Sequence, residues 1–276
     1  MKCLRLQLLL PDYLPAYDEN MLVNNQLIDA PSISVIIPVR DEAGAIANLL
    51  QEVLDKVGAI YRVQVIVVDD GSCDGTDKIV KQLAANDSRI ILVRHAKRSN
   101  KSAALRTGAM IANSLWMATI DGDGENDPTD VLAMVAQIDA TKVGKVGLVA
   151  GVRRHRTAGL GRLIASRIGN FVRQILLRDD CPDAACGLKV VLRPLFLAFP
   201  YFDSLHRYMP ALTKCYGYET LHVLVDDRPR RVGRSKYNNS KRALVGIIDL
   251  LGVFWLLRRT TVRYYSSSKP TEYIKS

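Results

Sequence analysis

The chain has 276 residues, 48% of them hydrophobic and 24% charged, which is enough to bury a sizeable core and lies outside the compositions of disordered, collagen-like or disulfide-stapled chains. The net charge of +10 is unevenly placed: residues 1–150 hold 15 Lys and Arg against 19 Asp and Glu, and residues 151–276 hold 23 against 9. An acidic half carrying a metal and a basic half gripping a polyanion would divide charge in this way, and nucleic acid, nucleotide and anionic membrane all qualify as the polyanion.

Residues 1–31 mix Pro, Tyr, Asn and Asp without periodicity and read as a loose extension, with Met21 as an alternative start. Lys2 and Arg5 precede only a short apolar run with no cleavage-site pattern, so no secretory signal is expected and the chain is expected to stay in the cytosol. Cys3, Cys73, Cys181, Cys186 and Cys215 are odd in number and lack CxxC spacing, as expected of reduced thiols.

Ser32–Val39 (SISVIIPV) is a β-branched apolar run that predicts a buried parallel strand. Helical spacing follows over Ala43–Val57, then a second buried strand at Val63–Val68 that stops at Asp69-Asp70-Gly71-Ser72. A helix at Thr76–Ala85, a strand at Ile90–Val93, a helix at Ser102–Ser114 and a strand at Trp116–Ile120 continue the alternation. A helix at Thr129–Ala140 and a strand at Val146–Ala150 close the first half. Such alternation predicts an α/β fold with a doubly wound, mostly parallel sheet, whose ligands sit beyond the carboxyl ends of the strands.

The composition then changes. Gly151–Arg178 has seven arginines and no acid, with Ile164, Ile168, Phe171, Val172 and Ile175 on a helical stripe, and Arg228–Arg242 has seven Lys and Arg and no acid. Ala243–Leu257 is apolar apart from Asp249, and its 15 residues reach about 22 Å as helix, short of a hydrocarbon core of about 30 Å. It could lie in a membrane interface, dip part way, or pack on the domain. The expected organisation is an extension over 1–31, a catalytic domain over 32–240, a C-terminal amphipathic or hydrophobic helix over 241–262 and a tail over 263–276.

The most informative cluster is Asp121-x-Asp123, directly after a buried strand. Two carboxylates there can face one hard cation whose remaining ligands are diphosphate oxygens and water; a solvated acidic loop is the bland alternative. An EF-hand is excluded, because Asn126 and Leu132 stand where its Gly and Glu belong. Asp70 suits either a base or ribose contact or a turn. Dinucleotide, P-loop, GxSxG and HExxH signatures are missing, and the four histidines lack ligand spacing.

VIIPVRDEAGAI, VVDDGSCDGT, NKSAALRTGA and DGDGENDP, in that order, resemble the family 2 glycosyltransferases with the GT-A fold. DAACGLK and RPRRVGRSKYN narrow the resemblance to the dolichyl-phosphate mannosyltransferase branch, which makes polyprenyl-phosphate sugars; it spans about Ser32 to Arg259. The resemblance implies a nucleoside pocket lined by Pro38, Arg40, Glu42, Val68 and Asp70, although Arg40 stands where the family often has Tyr or Asn. It implies Mg²⁺ or Mn²⁺ on Asp121, Asp123 and Glu125, with Gly122 touching the nucleotide sugar. Arg153 and Arg167 would meet phosphates, Arg153 of both donor and acceptor. Arg230 and Lys236 would close over the donor diphosphate, and Lys189 would join them, although Ala184-Ala185-Cys186 departs from the usual pattern.

The reaction so implied moves a hexose, mannose from GDP-mannose before a UDP-hexose, to a polyprenyl or dolichyl phosphate with inversion, at the cytoplasmic side of a membrane. An anionic membrane surface, and a membrane-protein partner for the C-terminal helix, complete the implied contacts. A sugar acceptor in polysaccharide or glycolipid synthesis would need a carboxylate base, for which Asp183 or Asp203 are the later candidates; QxxRW is missing. Nucleic acid is not expected as a partner, because aromatics for base stacking are scarce in both basic stretches.

Overall fold

A computed structural model describes residues 32–138, 145–154, 160–229 and 239–260, without side chains for 160–168 and 239–244. The chain runs β1 (Ser32–Val39), α1 (Ile46–Lys56), β2 (Arg62–Asp69), α2 (Thr76–Asn86), β3 (Ile90–Arg94), α3 (Lys101–Ile111), β4 (Trp116–Thr119) and α4 (Thr129–Ala136). It continues through β5 (Val146–Arg153), α5 (Leu160–Leu177), β6 (Lys189–Leu192), α6 (Arg193–Ala198), α7 (Leu205–Cys215), β7 (Glu219–Val225) and α8 (Asn239–Arg259).

The seven strands form one sheet in the order β3-β2-β1-β4-β6-β5-β7. All run the same way except β6, which is antiparallel to both β4 and β5. Six strands therefore end on one edge, and β6 begins there.

Burial on both faces is what makes β1 a continuous apolar run: Val35 and Ile37 join the layer under α1, α2 and α4, and Ile36 the layer under α3, α6 and α7. The stripe Ile46, Leu49, Leu50, Val53 and Leu54 fixes the face that α1 buries. This helix begins later than its periodicity predicts, because Ala45 and Ile46 both donate to the Glu42 carbonyl in a tight turn. The strand predicted at Val146–Ala150 runs on to Arg153 because β7 pairs with it as far as Arg153↔Val225.

Helix α8 contains the apolar stretch predicted at Ala243–Leu257. Val253 is buried in the second core layer, with Leu250 and Phe254 packed beside it, so the helix docks on the domain. Its other face exposes Ile247, Ile248, Leu251 and Trp255. Among the described residues no helix is long and apolar enough to cross a membrane. The expected extension and tail lie outside the described residues.

Candidate active site

The shared edge gathers three loops. After β1, Asp41 adopts φ 53° and its backbone N–H donates to Ser72 Oγ (2.9 Å), while Glu42 donates to Thr76 Oγ1 (2.9 Å). Asp41 Oδ1 in return accepts from the Cys73 N–H at 2.8 Å. The loops after β1 and β2 are thus stitched into one wall. Pro38 is half-buried in it, and the Arg40 Nε is buried with no hydrogen-bond partner among the described residues.

Asp70 and Val68 hold this wall from behind. Val68 is fully buried, so its side chain supports the pocket and cannot line it. The Asp70 carboxylate accepts from Ser99 N (2.6 Å) and Asn100 N (2.9 Å) and meets His95 Nδ1 at 3.0 Å. Its oxygens are therefore occupied by the loop that leads into α3. Asn100, at φ 77°, caps that helix by accepting from Ser102 N and Ala103 N.

The third loop carries Asp121 and Asp123. Gly122 is required where the chain leaves β4: a Cβ there would stand 2.5 Å from Val39 Cγ1. Asp121 N donates to Asn126 Oδ1 (3.2 Å), Glu125 N donates to Asp123 Oδ1 (3.2 Å), and Arg228 N donates to the Glu125 carbonyl (2.7 Å). A bridge between Asn126 and Asp227 ties the loop to the continuation of β7. The Arg228 guanidinium reaches both Glu52 and Asp127. Burial acts to raise the Asp127 pKa, but hydrogen bonds from Thr129, Arg228 and Lys56 hold its carboxyl far below the usual carboxylate range.

Asp121 is surrounded by positive charge. Lys101, the first residue of α3, places its ammonium on Asp121 Oδ1. Lys189 is fully buried, with its Nζ donating to the carbonyls of Ala184 (3.3 Å) and Cys186. Burial would raise the Asp121 pKa, yet the charges of Lys101, Lys189 and Arg153 hold it below the ordinary value. Gly187 closes the space beneath: a Cβ there would lie 2.3 Å from Asp121 Oδ2.

Arg153 is differently placed from its expected role as a phosphate contact. Its Nε and Nη2 grip the two oxygens of Asp183 at 2.7 and 3.1 Å, and Nη1 lies 3.4 Å from Asp227 Oδ2. Asp183 is only 4% exposed at its side chain, so this is a buried bidentate pair that braces the site wall. Burial pushes the Asp227 carboxyl pKa up, and its Oδ1 is buried without a hydrogen-bond partner among the described residues.

Glu125 does not join Asp121 and Asp123 as expected: among the described residues no three His, Cys, Asp or Glu side chains converge as a metal site. The Asp123 and Arg228 contacts hold its backbone from both sides. Arg167 lies in α5 with its side chain outside the described residues, and Arg230 and Lys236 lie outside them altogether. The residues present nonetheless suit a hard divalent cation. They are two carboxylates at one strand end, one of them already paired with an ammonium, with Asp227 close enough to Asp123 to feel its charge. Sequence reasoning missed Lys101 and Gly187; the signal for each was its place in a quoted motif, NKSAAL and DAACGLK.

Residues 34–198 match the family model described as glycosyl transferase family 2. The chain belongs to that family. Among curated relatives, the dodecaprenyl-phosphate galacturonate synthase of Rhizobium johnstonii is 27% identical over 239 residues, covering 85% of this chain and 70% of the relative. The undecaprenyl-phosphate 4-deoxy-4-formamido-L-arabinose transferase of Salmonella choleraesuis is 26% identical over 208 residues, covering 75% of this chain and 62% of its own length.

The fold agrees with solved members of the GT-A class. Glucosyl-3-phosphoglycerate synthase of Mycobacterium tuberculosis, solved with Mn²⁺, UDP and glucosyl-3-phosphoglycerate, superposes with a TM-score of 0.62 at 17% identity over 82% of this chain and 80% of that one. Mannosyl-3-phosphoglycerate synthase of Rubrobacter xylanophilus gives 0.61 at 13% identity, over 89% and 80%. At these identities the likeness is one of fold.

Proposed function

We propose that this glycosyltransferase transfers a hexose from a nucleotide sugar to the phosphate of a polyprenyl phosphate at a membrane surface, with inversion. The observation that carries the acceptor class is the state of the two late carboxylates. Asp183 is clamped by Arg153, and Asp203 accepts from Asn100 Nδ2 (2.6 Å) and Tyr201 Oη (3.3 Å). Neither is placed as the base that a sugar hydroxyl needs, and Asp227 is held at one oxygen by Arg153 and buried at the other. A phosphate monoester, with a second pKa of about 6, is mostly ionised near neutrality and attacks the sugar C1 without one. The activities for which the two curated relatives are named, both on polyprenyl phosphates, agree with this reading.

Asp121 and Asp123 would hold Mg²⁺ or Mn²⁺, which when bound offsets charge on the departing nucleoside diphosphate. The wall made by Pro38, Arg40 and Glu42 takes the nucleoside, with Val68 and Asp70 fixing it from behind. Arg230 and Lys236 come two and eight residues after Arg228, which is anchored to α1 and the Asp127 loop. From that anchor they would close on the diphosphate and stabilise charge as the C1–O bond breaks. Arg167 would meet the acceptor phosphate, while Arg153 and Lys189 act as buried positioning residues.

Residues 32–240 then form the catalytic unit. Helix α8, together with exposed Phe171, Val172 and Ile175 of α5, would present an apolar face rimmed by Arg258 and Arg259 to anionic lipid. The relatives carry galacturonate and 4-deoxy-4-formamido-L-arabinose, so GDP-mannose and UDP-hexoses belong in one panel. The test is lipid extraction and mass spectrometry after incubation with Mg²⁺ or Mn²⁺, undecaprenyl phosphate and that panel. A polyprenyl-phosphate sugar, lost in Asp123→Ala, supports the reading. Donor turnover onto a free sugar acceptor, with no lipid product, would move the sugar-acceptor alternative ahead.

A further inference from the structure

We propose that Lys101 is a displaceable counterion for the metal site: its ammonium holds Asp121 while the metal is absent and is released toward the donor diphosphate when the metal binds. The inference rests on the reading that Asp121 takes the metal, and it adds a residue that the expected site did not contain.

Two lysines face the same carboxylate and differ in what they can do. Lys189 is fully buried and tied to two carbonyls, so its charge is fixed. The Lys101 side chain is 28% exposed, and its partner Asp121 33%, so a four-carbon stem can swing the ammonium without unpacking anything. Its backbone, by contrast, is well anchored. Asn100 beside it is held at its N–H by Asp70, at its side-chain amide by Asp203, and by its own cap on α3. A fixed base with a free head is what an exchanging cation requires.

Asp121 has the shorter side chain and its backbone N–H is tied to Asn126 Oδ1 (3.2 Å), so its carboxylate has far less reach than the lysine stem. A divalent cation arriving at Asp121 would meet an ammonium on the same oxygen, and two cations at that separation repel strongly in a half-exposed site. The ammonium is the partner that can leave. Helix stability does not account for Lys101 at this position, since a cation in the first turn opposes the helix dipole and the turn contains no acid. Once released, the ammonium adds to the positive N-terminal end of α3 on the cleft side, where it can meet a diphosphate.

Opposite effects on metal and nucleotide distinguish this role from a structural one. Mn²⁺ binding to the full chain would be followed by electron paramagnetic resonance without nucleotide, and UDP and GDP binding by calorimetry at saturating Mn²⁺. In Lys101→Met, Mn²⁺ affinity without nucleotide should rise about tenfold and nucleotide affinity at saturating Mn²⁺ should fall about tenfold. Lys101→Gln should give the same pair of changes, which guards against a folding defect in one variant. Unchanged or weakened Mn²⁺ binding in both variants overturns the proposal while leaving Asp121 as a metal ligand. If neither wild type nor variant binds Mn²⁺, even with nucleotide, the metal reading of Asp121 falls and the proposal with it.

Discussion

Replacing Gly187 by Ala should disable the site while leaving the fold intact. The new Cβ would stand 2.3 Å from Asp121 Oδ2 and 2.5 Å from its Cγ, whereas a relaxed carbon–oxygen contact needs about 3.3 Å or more. The carboxylate must therefore move by about 1 Å. It is the end of a side chain one-third exposed, so it can do so without disturbing the core. A displacement of that size at the reacting centre costs about 10²-fold in rate, or about 2.7 kcal/mol in transition-state stabilisation. The backbone effect of Gly→Ala is favourable by about 0.4–1 kcal/mol where the conformation allows it, so stability should change little. The assay is kcat/KM for lipid-linked product alongside thermal unfolding. Wild-type activity in a folded Gly187→Ala protein would refute the close packing of Gly187 on Asp121. Gross unfolding would refute the claim that the carboxylate absorbs the change.

Three further outcomes are expected. Arg153→Met leaves Asp183 and Asp227 as uncompensated buried carboxylates and should cost about 3–5 kcal/mol of stability, read by denaturant unfolding; adding Asp183→Asn should recover part of the loss. Asp127 has a folded-state pKa below its unfolded value of about 3.9, so its stabilisation is present above that value and is lost as pH falls through the folded pKa. The stability gap between wild type and Asp127→Asn should accordingly begin to narrow below about pH 5 and go on narrowing past about pH 3 toward the folded pKa, and a constant gap would show that the Arg228 and Thr129 contacts carry no such linkage. Ile248→Glu with Trp255→Glu, both on the exposed face of α8, should reduce sedimentation with anionic vesicles while preserving circular dichroism; unchanged sedimentation would place membrane contact elsewhere.

The first half of the fold was legible because its strands are buried on both faces. Such strands read as unbroken β-branched runs, as in SISVIIPV and VQVIVV, and each ends in a polar cluster that proved to lie on one edge of the sheet. The segment after Arg178 was not legible. β6 is four residues long and begins with a lysine, KVVL, too short and too polar at its start to signal a central strand. Nothing local marks it as antiparallel, since that depends on β4 and β5 flanking it.

The site shows the same division. Asp121 and Asp123 could be proposed from their place after a strand. That Arg153 and Asp183, 30 residues apart, form a buried clamp is a property of the tertiary structure, and an arginine-rich composition conceals it by making every arginine a candidate for phosphate. Lys101 was hidden for a related reason. At the start of a helix it reads as surface charge, and only the fold brings the first residue of α3 to Asp121.

The central claim is that a lipid phosphate is the nucleophile. The most direct measurement supplies the enzyme with Mg²⁺, one accepted nucleotide sugar and equimolar undecaprenyl phosphate and undecaprenol, and weighs the extracted lipids. Glycosylated undecaprenyl phosphate alone is expected, at neutral pH, with no product on the alcohol. Glycosylated undecaprenol in comparable amount would mean that the protein supplies a base to an acceptor hydroxyl, and would contradict the account.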